Sequence, residues 1–123
     1  MTRKPRTMEK TKSSPKTLSF EEFSKMDLRV GKITKAESVP QSRNLIKLII
    51  DVGGGELRQA MAGIAQYYSL KELEEKQVAV IANLQPRRIF GVESNVMILA
   101  AEDEKTVSML LPDRPVNVGS KIR

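Results

Sequence analysis

The chain has 123 residues, 40% of them hydrophobic, which suits one compact domain and leaves little room for a second. Cysteine and histidine are both absent, which removes disulfides, His/Cys zinc sites, cysteine nucleophiles, Ser-His-Asp triads and most general-base mechanisms. The net charge is +6, yet residues 1–16 carry six basic side chains against Glu9 alone (net +5), leaving 15 basic and 14 acidic groups (net +1) for the rest.

A basic arm on a near-neutral body gives long-range attraction to polyanions, so any specificity has to come from a local patch on the body. The longest apolar run falls far short of the ~20 residues of a membrane-spanning helix, so no membrane association is expected. Residues 1–17 (MTRKPRTMEKTKSSPKT) are Ser/Thr-rich with almost no large apolar groups. Such a segment does not offset its own ordering entropy and reads as a disordered basic tail. A targeting peptide is the alternative, but neither an apolar helical face nor a secretory apolar region is present.

The folded domain is expected over 18–123. Ser19-Phe20-Glu21-Glu22 fits a capping box that opens a short helix. In 27–39 (DLRVGKITKAESV) Leu28 and Val30 alternate, and Gly31 shifts the phase of Ile33, which predicts a strand with a glycine bulge or sharp bend. Pro40-Gln41-Ser42 reads as a turn. Leu45–Val52 is a second, β-branched strand, and Gly53-Gly54-Gly55 turns it into a third over Leu57–Ala62. Ser69-Leu70-Lys71-Glu72 is a second capping box, placing a short helix before a fourth strand over Gln77–Leu84. Gln85–Glu93 reads as a loop. Val96–Ala101 and Thr106–Leu111 read as a hairpin across the acidic turn Glu102-Asp103-Glu104, and Val116–Ile122 as a short edge strand. Three strands, a helix, then further strands is the element order of an OB-fold: an all-β, five-stranded barrel with short helices. A small sandwich is the rival architecture, and periodicity does not choose between them.

The triple glycine leads into a strand rather than a helix, so it is a hairpin turn and not a phosphate-binding loop. The acidic residues form no ligand cluster, and no cofactor or metal is implied. Residues 82–94 (ANLQPRRIFGVES) stand apart. Arg87 and Arg88 follow a buried-looking strand in a segment held by Pro86 and Gly91. Guanidinium forks bind phosphate oxygens, and a restrained loop lowers the entropy of presenting them. Asn83 suits a base edge or a 2′-hydroxyl, and Ser94 adds a hydroxyl. The bland alternative is that both arginines pair with Glu93 and nearby acids. Only Phe20, Phe23, Tyr67, Tyr68 and Phe90 are aromatic, and none falls in a predicted strand. RNA, if bound, is then read by shape, phosphates and sugars rather than by stacking along a sheet.

These same residues carry a resemblance. ANLQPRRIFGVESNVMILAA (82–101), with DLRVGKI (27–33) and AGIAQYY (62–68), resembles the tRNA-binding domain family, which includes free-standing structure-specific tRNA-binding proteins and the C-terminal domain or beta subunit of methionyl-tRNA synthetase. The likeness runs from about Phe20 to Ile122. It implies an OB barrel, folded tRNA as ligand, a homodimer, a cytoplasmic location and no catalysis. The methionyl-tRNA synthetase catalytic subunit becomes a further candidate partner. Matched positions are Asn83, Arg87, Arg88, Ser94 and Met97. The sequence departs from the family at Val96, where glycine is usual, and at Asn44, where lysine is usual and neighbouring Arg43 is the candidate substitute. The family also has a secretion-associated branch, so a dimeric, peptide-binding, chaperone-like protein of the same fold is the alternative function. A small enzyme built on carboxylates alone has no paired-acid motif behind it.

Overall fold

The computed structural model describes residues 16–123. The tail expected over 1–17 therefore lies, apart from Lys16 and Thr17, outside the described residues. Both capping boxes form. The Ser19 hydroxyl accepts from the Glu22 N–H at 3.0 Å and the Glu22 carboxylate accepts from the Ser19 N–H at 3.2 Å, opening α1 (Phe20–Phe23). Ser69 and Glu72 repeat the exchange at 3.2 and 2.7 Å, opening α2 (Leu70–Leu73). One-turn helices are too short to hold themselves, so caps and packing maintain them. Leu73 of α2 is fully buried, whereas α1 buries no residue.

Strands β1 (Leu28–Ser38), β2 (Ile46–Asp51), β3 (Leu57–Ala62) and β4 (Gln77–Ile81) pair antiparallel around β1. β1 pairs with β4 through Leu28–Lys32 and with β2 through Lys32–Ser38. A strand that changes partner midway has to bend, and Gly31 sits at that point. A Cβ there would lie 2.7 Å from Ile50 Cγ2 and 3.3 Å from the Asp51 carbonyl oxygen. The register shift, however, falls between Ile33 and Lys35. The bulge belongs to Thr34, and Gly31 serves close approach instead.

β4 ends at Ile81, three residues short of its expected end: the Ala82 N–H still donates to the Asp27 carbonyl at 2.8 Å, but the Asp27 N–H donates to the Asn83 side chain at 2.9 Å instead of returning to the strand. The segment read as a loop contains β5 (Arg87–Ile89) and β6 (Val92–Ser94), paired with each other. The expected C-terminal hairpin divides. β7 (Met97–Ile98) joins β4, while β8 (Ala100–Glu102) pairs with β9 (Val107–Met109). The main sheet thus runs β3-β2-β1-β4-β7.

The outer strand β3 meets the end of β6 and the residue after it, which lead into β7. The Asn95 N–H donates to the Gln59 carbonyl at 3.1 Å, and the Met61 N–H donates to the Ser94 hydroxyl at 3.3 Å. The result is a nearly closed five-stranded antiparallel barrel of OB type rather than a sandwich. Ile33, Leu48, Ile50, Val52, Val78 and Val80 fill its interior with Leu73, and no polar or charged residue is buried among the described residues. The edge strand expected over 116–122 reduces to one bridge, Arg29 with Lys121. It is flanked by backbone bonds from Gly119 to Val30, Val30 to Ser120 and Ile122 to Leu28.

Candidate nucleic-acid interface

Barrels of this class bind ligands across the β2–β3 face, between the β1–β2 connection and the one preceding the last barrel strand. Here the latter connection, between β4 and β7, holds the β5–β6 hairpin. Ile89 pairs with Val92, leaving a two-residue turn of Phe90 (φ 51°) and Gly91 (φ 78°). Positive φ at both positions defines a type I′ turn, whose twist matches the flanking strands. Glycine adopts that conformation freely. A phenylalanine there costs roughly 1–2 kcal/mol, so the hairpin holds Phe90 against local preference. The Arg88 guanidinium donates to the Gly91 carbonyl at 2.9 Å and ties the turn back to its own strand.

Pairing in a strand also separates the two arginines. Adjacent residues of a pleated strand point to opposite faces. Arg87, Ile89 and Ser94 face a groove of about 450 Å³, while Arg88 lies over the turn. The groove is bounded by β3 and the residues after it (Met61, Ile64), by the hairpin, and by Leu84, Met97 and Glu102. Arg87, Ser94 and Met97 are therefore brought together at one groove. Met97 is half exposed on its edge and not in the core.

Asn83, Arg88 and Arg43 lie outside the groove lining. Asn83 accepts from the Asp27 N–H at 2.9 Å and donates to the Lys25 carbonyl at 2.7 Å, which commits one amide proton and one lone pair to holding the α1–β1 link. Arg43 is exposed in the β1–β2 connection. Its neighbour Asn44 is bound to the segment after β3 through the Ala65 N–H (3.0 Å) and the Gln66 side chain (2.7 Å). Sequence reasoning missed Met61, Leu84, Ile89 and Glu102 as groove residues. Each is an ordinary strand or loop residue until the barrel closes.

Several cations on the barrel strands are neutralised in place. Arg29 pairs with Asp27 at 2.8 Å, Arg58 with Glu56 at 2.7 Å, Lys32 with Glu75 at 2.8 Å and Lys35 with Glu37 at 3.0 Å. The Arg29 hydrogen bond holds the Asp27 carboxyl below the usual carboxylate range, and the Lys35 ammonium does the same for Glu37. Arg87 and Arg88 form no ion pair with any described residue, including Glu93, which faces Arg88 in register. The bland alternative for these arginines is not what the structure adopts. Among the described residues no group of three His, Cys, Asp or Glu side chains is placed to hold a metal, and no helix is long and apolar enough to cross a membrane.

The fold and the hairpin-rimmed groove define a small OB-type binding domain. Residues 28–121 match the family model described as "Putative tRNA binding domain", and the chain belongs to that family. It is 51% identical over 114 residues to a methionine–tRNA ligase of Methanoregula boonei, covering 93% of this chain and 17% of that protein. It is 45% identical over 106 residues to the methionine–tRNA ligase of Pyrococcus furiosus, covering 86% of this chain and 14% of that protein. The chain thus spans about a sixth of these relatives and matches a small module of a much longer enzyme. Among solved structures, it superposes on a MetRS-related protein from Pyrococcus horikoshii with TM-score 0.81 and 35% identity, covering 89% of this chain and all of that one. The chaperone CsaA of Bacillus anthracis superposes with TM-score 0.79 and 33% identity, over 88% of this chain and all of that one.

Proposed function

We propose that this chain binds folded tRNA as a non-catalytic module, through phosphate and sugar contacts rather than base sequence. The observation that carries this reading is the β5–β6 hairpin, which displays two adjacent guanidinium groups without carboxylate partners, whereas the barrel-strand arginines Arg29 and Arg58 are each held by a carboxylate. Arg87 reaches phosphate from the groove side and Arg88 from the turn side. A backbone lying across the hairpin therefore meets both. Ser94, already accepting from Met61, keeps its proton to donate to a sugar or phosphate oxygen. Asn83 holds the base of the connection and offers its remaining amide proton. Met97 lines the apolar edge, and Arg43 extends the positive surface along the β1–β2 connection. The chain acts in the cytoplasm as a homodimer, alone or beside the catalytic subunit of methionyl-tRNA synthetase. Support for self-association comes from α1 and the residues before it, where Phe20 is 82% exposed and Leu18 59% exposed, apolar surface that one copy does not cover.

A fluorescence-anisotropy titration with folded tRNA over a range of salt concentrations tests the reading. Replacing Arg87 and Arg88 together by alanine is expected to weaken binding several-fold or more, and to flatten the log K against log salt slope by about one per lost phosphate contact. Unchanged affinity and slope would remove the hairpin from the interface.

One observation favours a second reading. The groove is walled mostly by apolar side chains and the fold is shared with the chaperone CsaA, as suits a peptide-binding, chaperone-like dimer. Suppression of aggregation of an unfolded client, with no measurable affinity for tRNA, would favour it.

A further inference from the structure

We propose that Phe90, at the tip of the β5–β6 hairpin, stacks on an exposed base of the bound RNA, a contact that rests on the tRNA-binding reading and adds a base-contacting residue to it. Three observations converge on it. First, an L-residue with a bulky ring occupies a left-handed turn position (φ 51°) where glycine or asparagine is the unstrained choice. Second, the ring is 52% exposed, and its one described aromatic–aromatic alternative is absent, since the only such pair is Phe20 with Phe23. Third, Arg88 donates to the carbonyl of Gly91, the residue after Phe90, so a guanidinium with donors to spare is tied to the same turn. An exposed aromatic side chain and a cation without a carboxylate partner on one turn match a nucleotide, whose base offers a π-face and whose phosphate lies within the same unit. An apolar protein partner would leave that cation unmatched. The strand positions hold no aromatic residue, so stacking of this kind is confined to a single base at the turn and not a run of bases along the sheet.

The experiment uses the full chain and folded tRNA. Phe90→Asn supplies the residue that this turn prefers, so the melting temperature is expected to hold or rise while tRNA affinity falls roughly five-fold or more. The salt slope is expected to stay at its wild-type value, because no phosphate contact is lost. Phe90→Trp introduces the chain's only tryptophan, since the sequence contains none. Its affinity is expected to equal or exceed wild type, and its emission to be quenched on saturation with tRNA. Wild-type affinity in Phe90→Asn, or tryptophan emission unmoved at saturation, would overturn the inference while leaving the phosphate-binding reading intact. A wild-type chain with no affinity for folded tRNA would overturn both.

Discussion

Asn83 shows how one side chain can be read two ways. From sequence it stands at a strand end with donor and acceptor ready for RNA. In the fold it bridges the Lys25 carbonyl and the Asp27 N–H, tying the residues before β1 to the start of the β4–β7 connection. Asn83→Ala removes both bonds and leaves their backbone partners to solvent, a net loss of about 1–2 kcal/mol. A thermal melt is expected to show that loss. The tRNA affinity of the alanine variant is expected to fall through a loosened connection, and hence recover as temperature is lowered. Asn83→Asp retains the acceptor for Asp27 and loses the donor to Lys25, and is expected to lie between. Loss of affinity with an unaltered melt would mean that the remaining amide proton on RNA, and not the tie to Lys25 and Asp27, is the main contribution of Asn83. Arg87 and Arg88 give the opposite lesson. Adjacency in the sequence suggests a single fork, and the pleat of β5 sends them to different faces.

Elements were legible where local chemistry decides them. Ser19 and Ser69 with their glutamates announce both helices, because the capping box is satisfied within four residues. Leu57–Ala62 appears with the boundaries read from its flanking glycines. Three features were not legible. The β5–β6 hairpin has Phe-Gly at its turn in place of Asn-Gly, so the usual signal is missing. The bulge at Thr34 is one extra residue of β1 against β2, between the pairs Ile33–Ile50 and Lys35–Ile49, which only the assembled sheet reveals. The groove exists only once β3 meets the segment around Ser94 and Met97.

The second capping box also carries a pH prediction. The Ser69 backbone N–H and hydroxyl hold the Glu72 carboxyl below its ordinary range. A folded-state value lowered in this way contributes stability that is present above the unfolded-state value and lost as pH falls through the folded one. Carbon-detected NMR titration is expected to find Glu72 titrating at lower pH than an unperturbed glutamate. Ser69→Ala removes the hydroxyl and keeps the backbone N–H, the larger cause, so it is expected to return Glu72 only part of the way toward the ordinary value. A wild-type Glu72 midpoint no lower than that of an unperturbed glutamate would show that the box is not formed in solution.

At the scale of the molecule, charge is divided between two jobs. The body carries a net +1 after residues 1–16 are set aside with their net +5. Its ion pairs, Arg29–Asp27, Arg58–Glu56 and Lys32–Glu75 among them, tie up barrel-strand cations, while Arg87 and Arg88 stand side by side in sequence on the hairpin with no carboxylate partner. A diffuse cationic segment adds counterion release without regard to RNA structure, whereas a shaped, rigid patch discriminates. The two terms are separable because they depend differently on salt and on RNA fold. Deleting residues 1–15 removes five basic groups and Glu9. That variant is expected to bind tRNA more weakly and with a flatter salt slope, yet to keep the wild-type ratio of affinities for folded tRNA over an unstructured RNA of equal length. Replacing Arg87 and Arg88 in the full-length chain is expected to lower that ratio. Measuring both ratios in the same anisotropy series assigns each job to its segment. A ratio that collapses on deletion and survives the arginine replacements would move recognition from the barrel to the arm.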